Sequence, residues 1–118
     1  MATFVTIGYG DQAGYDGTSA PVRDAAHAHD QHLKRQGALV GVAGEPVQVR
    51  NHDAAGTEMT QGPFRGTPLP VAGFAIIEAA DLQEAVALVA GTPCAVAHGV
   101  VEVWPVQALE SETTTSDG

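Results

Sequence analysis

The chain has 118 residues, of which 44% are hydrophobic and 5% aromatic, and its formal net charge is −9. This length predicts one domain with a core of its own, and the scarcity of aromatic residues predicts a core of small side chains. The acidic balance, 14 Asp and Glu against 5 Lys and Arg, argues against nucleic acid and against an anionic membrane surface as partners, since both bind basic surfaces.

Several signals for other protein classes are missing from the sequence. Cys94 is the single cysteine, so neither an internal disulfide nor a zinc site built from thiolates is expected. Residues 1–8 lack the basic start and the apolar run of a signal peptide. No apolar stretch reaches about 18 residues, the length needed to span a membrane. We therefore expect a cytoplasmic protein without a membrane span.

Strand and loop patterns alternate along the chain. Runs rich in β-branched and aromatic residues favour strands, whereas stretches rich in Gly, Pro and short polar residues favour loops. These patterns predict strands at residues 3–9, 38–42, 46–50, 57–60, 71–78 and 100–106, and loops at residues 10–20, 51–56 and 61–70.

Two segments have the periodicity of an amphipathic helix. Residues 22–36 predict a first helix and residues 82–90 a second, which would begin at the N-cap Asp81 with Glu84 three residues later. The apolar stripe of the first helix consists of Val22, Ala25, Ala26, His29 and Leu33. The stripe of the second helix consists of Leu82, Ala85, Val86 and Val89.

This order of elements predicts an α+β domain over residues 1–109. Two β-α-β halves in succession favour a ferredoxin-like sheet with both helices on one face. Such a sheet leaves its other face bare, and a second copy of the chain would cover it, giving a homodimer. Residues 110–118 are uniformly polar apart from a terminal glycine, which predicts a disordered tail.

Four short motifs follow one another in the sequence. They are Gln-Gly-Ala-Leu-Val-Gly at residues 36–41, Gln-Gly-Pro-Phe at 61–64, Gly-Phe at 73–74 and Gly-Val-Val-Glu-Val-Trp-Pro-Val at 99–106. In order and spacing, the chain resembles the YCII-related family, and Gln-Gly-Pro-Phe resembles the Asp-Gly-Pro-Phe signature of its DGPF branch. Gln61 stands where that signature has an acid.

The resemblance implies a dimeric α+β barrel in which two ferredoxin-like sheets face each other. Members of this superfamily include small enzymes that act on aromatic or polyketide-like substrates, and YCII relatives include a dehydrochlorinase-like branch. The group usually proposed as active is a histidine of the first helix paired with a carboxylate. In this sequence that histidine falls near Ala26 or His27.

The candidates for catalysis are His29, His27 and Asp30. An imidazole facing a pocket suits a general acid or base near neutral pH. His29 lies on the apolar stripe and is expected to face the sheet or a pocket, whereas His27 flanks the stripe. Asp30, beside His29, is the candidate carboxylate partner. The alternative for each of the three is a structural role, as a packed histidine or a surface charge.

The candidates for substrate binding are Tyr9 and Asp11, at the end of the first strand, and Phe64 and Arg65, in the signature loop. Arg65 would hold an anionic group, and Phe64 would form a wall of the site. No metal site is expected, because His27 and His29 are two residues apart and point to different sides of a helix. No cofactor is expected either, since the sequence has no glycine-rich phosphate loop.

The sequence is compatible with two functions. The first is a cofactor-free enzyme in which a histidine acts as general acid or base on a small cyclic or aromatic substrate held in the barrel pocket, in a lyase, isomerase or cyclase type of step. The alternative is a small-molecule-binding or accessory protein that uses the same pocket without chemistry.

Overall fold

The structure is a computed structural model and describes residues 1–107. Four strands, β1 (Ala2–Tyr9), β2 (Leu39–Val42), β5 (Val71–Ala79) and β6 (Val100–Pro105), form an antiparallel sheet in the order β2-β5-β1-β6. The strands β3 (Val47–Arg50) and β4 (Glu58–Gln61) form a separate two-stranded hairpin. This order confirms the predicted α+β, ferredoxin-like class. The main sheet is open and does not close into a barrel within the chain.

Two long helices and two short ones accompany the sheet. The long helices are α2 (Ala20–Arg35) and α3 (Leu82–Val89), and the short ones are α1 (Gln12–Asp16) and α4 (Pro93–Val96). The long helices lie within two residues of their predicted bounds. Within residues 1–107, no helix combines the length and the apolar character that crossing a membrane requires. The cytoplasmic location stays a prediction.

The short helix α1 corrects the prediction of a loop at residues 10–20. The Asp11 side chain accepts a hydrogen bond from the backbone N–H of Gly14 at 2.9 Å and so caps the helix. Five residues are too few to show a periodicity, and Gly14 in the middle lowers helix propensity. The predicted polar tail at residues 110–118 lies outside the described residues.

The core lies between the long helices and one face of the sheet. Along β1, Phe4, Thr6 and Gly8 are buried, while the residues between them are only partly covered. The core cluster consists of Phe4, Ile77, Ala79, Ala85 and Val89. As the composition predicts, it contains a single aromatic side chain, and small residues allow the helices to lie close to the sheet.

The two predicted helix stripes are too wide. Ala26 and Leu33 of α2 are buried, but Val22 and Ala25 are exposed. In α3, Ala85 and Val89 are buried, whereas Leu82 and Val86 are about half exposed, at 48% and 49%. A short helix packed through small side chains contacts the sheet along a narrow line, so the edges of an apolar stripe stay in solvent.

The opposite face of the sheet, which we call the open face, carries large apolar side chains. Val5 pairs with Ile76, which in turn pairs with Leu39 on the next strand. The fractional exposure is 60% for Leu39, 52% for Trp104, 41% for Phe74 and 38% for Ile76. No helix of residues 1–107 lies over this face, because both long helices pack on the other side.

Candidate functional site

A cavity of about 680 Å³ lies between α2 and the helix side of the sheet. Its floor includes Gly8 of β1 and Gly73 of β5, which are directly paired across the two strands. Because Gly8 has no side chain, the Cys94 side chain can lie directly against the backbone at this point. The walls come from α1, α2 and α4. The cavity therefore belongs to one chain and lies mainly on the helix side of the sheet, although Phe74 also contributes to its lining.

One face of α2 supplies the polar wall of the cavity. His27, Asp30, Gln31 and Lys34 all line it, and their spacing of three and four residues puts them on one side of a helix. The His27 Nε2 atom lies 2.9 Å from the hydroxyl oxygen of Tyr15, which reaches the cavity from α1. This wall presents a carboxyl group, an imidazole and an ammonium group to the same space.

The Asp30 carboxyl is partly withdrawn from water. Burial raises the pKa of Asp30 above its usual range, and the positive charges of His27, His29 and Lys34 oppose that rise. A carboxyl with a raised pKa is a stronger base once ionised, so Asp30 can accept a proton more readily than a solvated aspartate.

The Cys94 thiol lies at the other end of the cavity, on α4. A Cβ atom at Gly8 would stand 2.8 Å from its Sγ atom, so Cys94 lies in the space that a side chain at position 8 would need. Burial raises the pKa of the Cys94 thiol, and the negative charge of Asp30 adds to the effect. At neutral pH the thiol is therefore protonated and a poor nucleophile.

His29 does not line the cavity, although the apolar stripe predicts an inward position. It is half-buried between α2 and α3, where its Nε2 atom lies 2.5 Å from the carbonyl oxygen of Leu88. Its ring also lies against Gly91, just beyond the end of α3. His29 therefore points from α2 toward α3 and not into the cavity.

Of the two candidates at the end of β1, Asp11 lines the cavity and Tyr9 does not. The Asp11 carboxylate already accepts the N–H of Gly14 as a helix cap. Tyr9 lies on the open face, where its hydroxyl donates to the Glu102 carboxylate at 2.9 Å. That hydrogen bond raises the pKa of Tyr9, with smaller contributions from burial and from the Glu102 charge, while the charge of Arg65 lowers it.

The predicted binding residues Phe64 and Arg65 also lie away from the cavity. Phe64 is 77% exposed beside the β3–β4 hairpin, with the Arg50 guanidinium 5.7 Å from its ring centroid. The reason is topological, because the hairpin that the signature loop follows is a separate sheet. Within residues 1–107, no three His, Cys, Asp or Glu side chains come together as a metal ion would require.

The family model of the YCII-related domain matches residues 2–110 of the chain. The chain belongs to the YCII-related family. Among proteins with curated functions, none matches it significantly. The sequence resemblance predicts a first-helix histidine near Ala26 or His27. Of these two positions, Ala26 is buried and has no polar group, whereas His27 lines the cavity.

The cavity of this YCII-related chain also has polar residues that the sequence does not mark as candidates, among them Tyr15, Lys34 and Cys94. The signal for Lys34 is its spacing of seven residues from His27, with Asp30 between them on the same helix face. Tyr15 and Cys94 lie on the short helices α1 and α4, which carry no periodic pattern. Only the folded chain brings them to α2.

Proposed function

We propose that this protein is a cofactor-free enzyme that transfers protons to and from a small cyclic or aromatic substrate, with His27 and Asp30 as its acid–base pair. The observation that carries the proposal is the position of both side chains on one wall of the 680 Å³ cavity. A lyase, isomerase or cyclase type of step needs a proton removed at one atom and delivered at another, which such a pair supplies.

The size of the cavity supports a small substrate. Its volume of about 680 Å³ lies within the range of small-molecule sites. The Cys94 side chain lies against Gly8 at the floor, so a ring held in the cavity would contact this thiol as well as the wall that carries His27.

We also propose that the chain forms a homodimer through the open face. The face includes Trp104 and Phe74, aromatic side chains that are 52% and 41% exposed. Exposed apolar surface of this extent is typical of protein interfaces. The cavity lies mainly on the other side of the sheet, so each subunit would keep its own His27 and Asp30. Phe74 lines the cavity and also belongs to the open face, so the proposed dimer would adjoin the site.

Solvent deuterium exchange tests the enzymatic proposal without knowledge of the natural substrate. Acetophenone and cyclohexanone have slowly exchanging hydrogens next to a carbonyl group, and proton NMR in deuterated water records their loss. We expect the protein to accelerate the exchange and His27→Gln and Asp30→Asn to lower the rate by about 100-fold or more, since removing one acid or base commonly costs that much.

The matched control is His32→Gln, because His32 is exposed on the same helix and does not line the cavity. It should keep the rate of the unaltered protein. Equal rates in His27→Gln, Asp30→Asn and the unaltered protein would contradict the proposal.

The second candidate function is a binding or accessory protein, which a cavity of about 680 Å³ also fits. A binding protein would show saturation-transfer signals from these ketones but would not accelerate deuterium exchange. That result would favour the binding function over the enzymatic one.

A further inference from the structure

The Tyr15 side chain is held in place from three directions. The capped helix α1 fixes its backbone through the bond from Gly14 to Asp11. The Arg23 guanidinium lies 4.8 Å from the centroid of its ring, at a distance that favours a cation–π contact. The His27 ring lies 5.8 Å away, tilted by 58°. Since Arg23 and His27 are four residues apart on α2, both reach the same tyrosine.

The contact between the Tyr15 hydroxyl and His27 Nε2, at 2.9 Å, has a preferred direction. A neutral imidazole has one nitrogen that donates and one that accepts. A phenol hydroxyl is a far stronger acid than an imidazole N–H, and an imidazole nitrogen is a far stronger base than a phenol oxygen. The hydroxyl of Tyr15 therefore donates to Nε2, and the proton of the neutral ring is on Nδ1.

His29, two residues further along α2, has the opposite arrangement. Its Nε2 atom faces the carbonyl oxygen of Leu88, which can only accept a hydrogen bond. The His29 proton is therefore on Nε2. One helix thus holds two histidines whose neutral rings carry their protons on different nitrogens.

We propose that Tyr15 is a positioning residue that keeps the proton of neutral His27 on Nδ1, so that His27 acts as a hydrogen-bond donor to a carbonyl or carboxylate oxygen of the ligand. In residues 1–107, Nδ1 makes no hydrogen bond to another residue, which leaves its N–H for the ligand. This inference rests on the proposed function and divides its roles. His27 donates a hydrogen bond to the ligand oxygen but cannot take up a proton, because its Nε2 atom already accepts the Tyr15 hydroxyl, and Asp30 is the base.

Long-range proton–nitrogen NMR of ¹⁵N-labelled protein tests this assignment with no substrate present. At about pH 8.5, where ordinary imidazole side chains are neutral, we expect His27 to appear with its proton on Nδ1 and His29 with its proton on Nε2. Tyr15→Phe, which removes only the hydroxyl, should convert the His27 signals to a mixture of both tautomers. The His29 signals should not change, which also shows that the variant is folded.

Tyr9→Phe is the matched control, since Tyr9 lies on the open face and bonds Glu102 instead. It should leave both histidines as they are. His27 with its proton on Nε2 in the unaltered protein, or unchanged in Tyr15→Phe, would overturn the inference.

The ligand class is tested by adding acetophenone and, separately, ethylbenzene, which has the same ring but no carbonyl oxygen. The ¹⁵N shift of His27 Nδ1 should move with acetophenone and not with ethylbenzene. Equal shifts, or none with acetophenone, would refute the donor role. The tautomer measurement and the deuterium exchange can fail independently, so a failure of this inference is distinguishable from a failure of the proposed function.

Discussion

His29 and Leu88 join the two long helices, because the imidazole Nε2–H of His29 donates to the Leu88 carbonyl oxygen at 2.5 Å. Leu88 lies in the last turn of α3, where backbone carbonyl oxygens have no partner within the helix. The His29 side chain of α2 thus gives the Leu88 carbonyl oxygen a hydrogen-bond donor, which this partly buried atom would otherwise have to find in water. The bond fixes the distance between the helices next to the cavity.

Replacing His29 by Ala should destabilise the fold by about 1–3 kcal/mol, since a partly buried carbonyl oxygen loses its donor. Urea unfolding measures the change in the free energy of unfolding. His32→Ala is the control, because His32 stacks against His29 but is itself exposed. It should cost far less. If the two variants were equally stable, the contact with Leu88 would have no structural role.

His29 shows what the apolar stripe of α2 can predict and what it cannot. The periodicity of α2 predicts correctly that Ala26 and Leu33 are buried, and it places His29 toward the interior. Interior here means the groove between two helices, which no pattern within a single helix can distinguish from a ligand cavity. The cavity faces the polar side of α2, where His27 and Asp30 lie.

Asp30→Asn should change the dependence of stability on pH. Burial raises the pKa of Asp30 above the ordinary value of 3.8, so the folded state holds this proton more tightly than the unfolded state does. As pH rises from that value through the raised pKa, the unaltered protein therefore loses stability. Asn has no such proton to lose.

Urea unfolding at a series of pH values measures this difference. The free energy of unfolding of the unaltered protein should fall relative to Asp30→Asn as pH rises. Asp24→Asn is the control, because Asp24 is exposed on the same helix, and its difference from the unaltered protein should stay nearly constant. A constant difference for Asp30→Asn as well would show that the carboxyl is not withdrawn from water.

Cys94 should react slowly with iodoacetamide in the folded protein. Burial, together with the charge of Asp30, raises the pKa of the thiol, and only the thiolate reacts. Alkylation followed by mass spectrometry should therefore be several-fold slower in the folded protein than in urea. Asp30→Asn should react faster than the unaltered protein because one cause of the raised pKa is removed. Equal rates in folded and unfolded protein would rule out the buried position.

Ile76→Asp should dissociate the proposed dimer, since it introduces a charge at the centre of the open face, where Ile76 pairs with Val5 and Leu39. Sedimentation velocity should show a dimer for the unaltered protein and a monomer for the variant. Val86→Asp is the control, because Val86 is 49% exposed on α3, away from the sheet. A monomeric unaltered protein would refute the dimer.

The fold was more predictable from the sequence than the site. Strand periodicity and the capping pattern at Asp81, whose side chain accepts the N–H of Glu84 at 2.9 Å, act over a few neighbouring residues and can be recognised in the sequence. The site depends on contacts between distant segments, such as Cys94 beside Gly8. The sequence motif predicts Phe64 and Arg65 as binding residues, but their loop follows a hairpin that is separate from the main sheet.

The alternation of side chains along β1 assigns the helix side of the sheet and the open face to alternate positions in the sequence. Phe4, Thr6 and Gly8 point toward the helices and the cavity, whereas Val5 and Ile7 point to the open face. Neighbouring codons of β1 therefore encode side chains on opposite faces of the sheet. Under the two proposals, variants at Val5 and Ile7 would alter the dimer interface and variants at Thr6 would alter the cavity. Gly8 would have to stay a glycine, because Cys94 occupies the space that a side chain there would need.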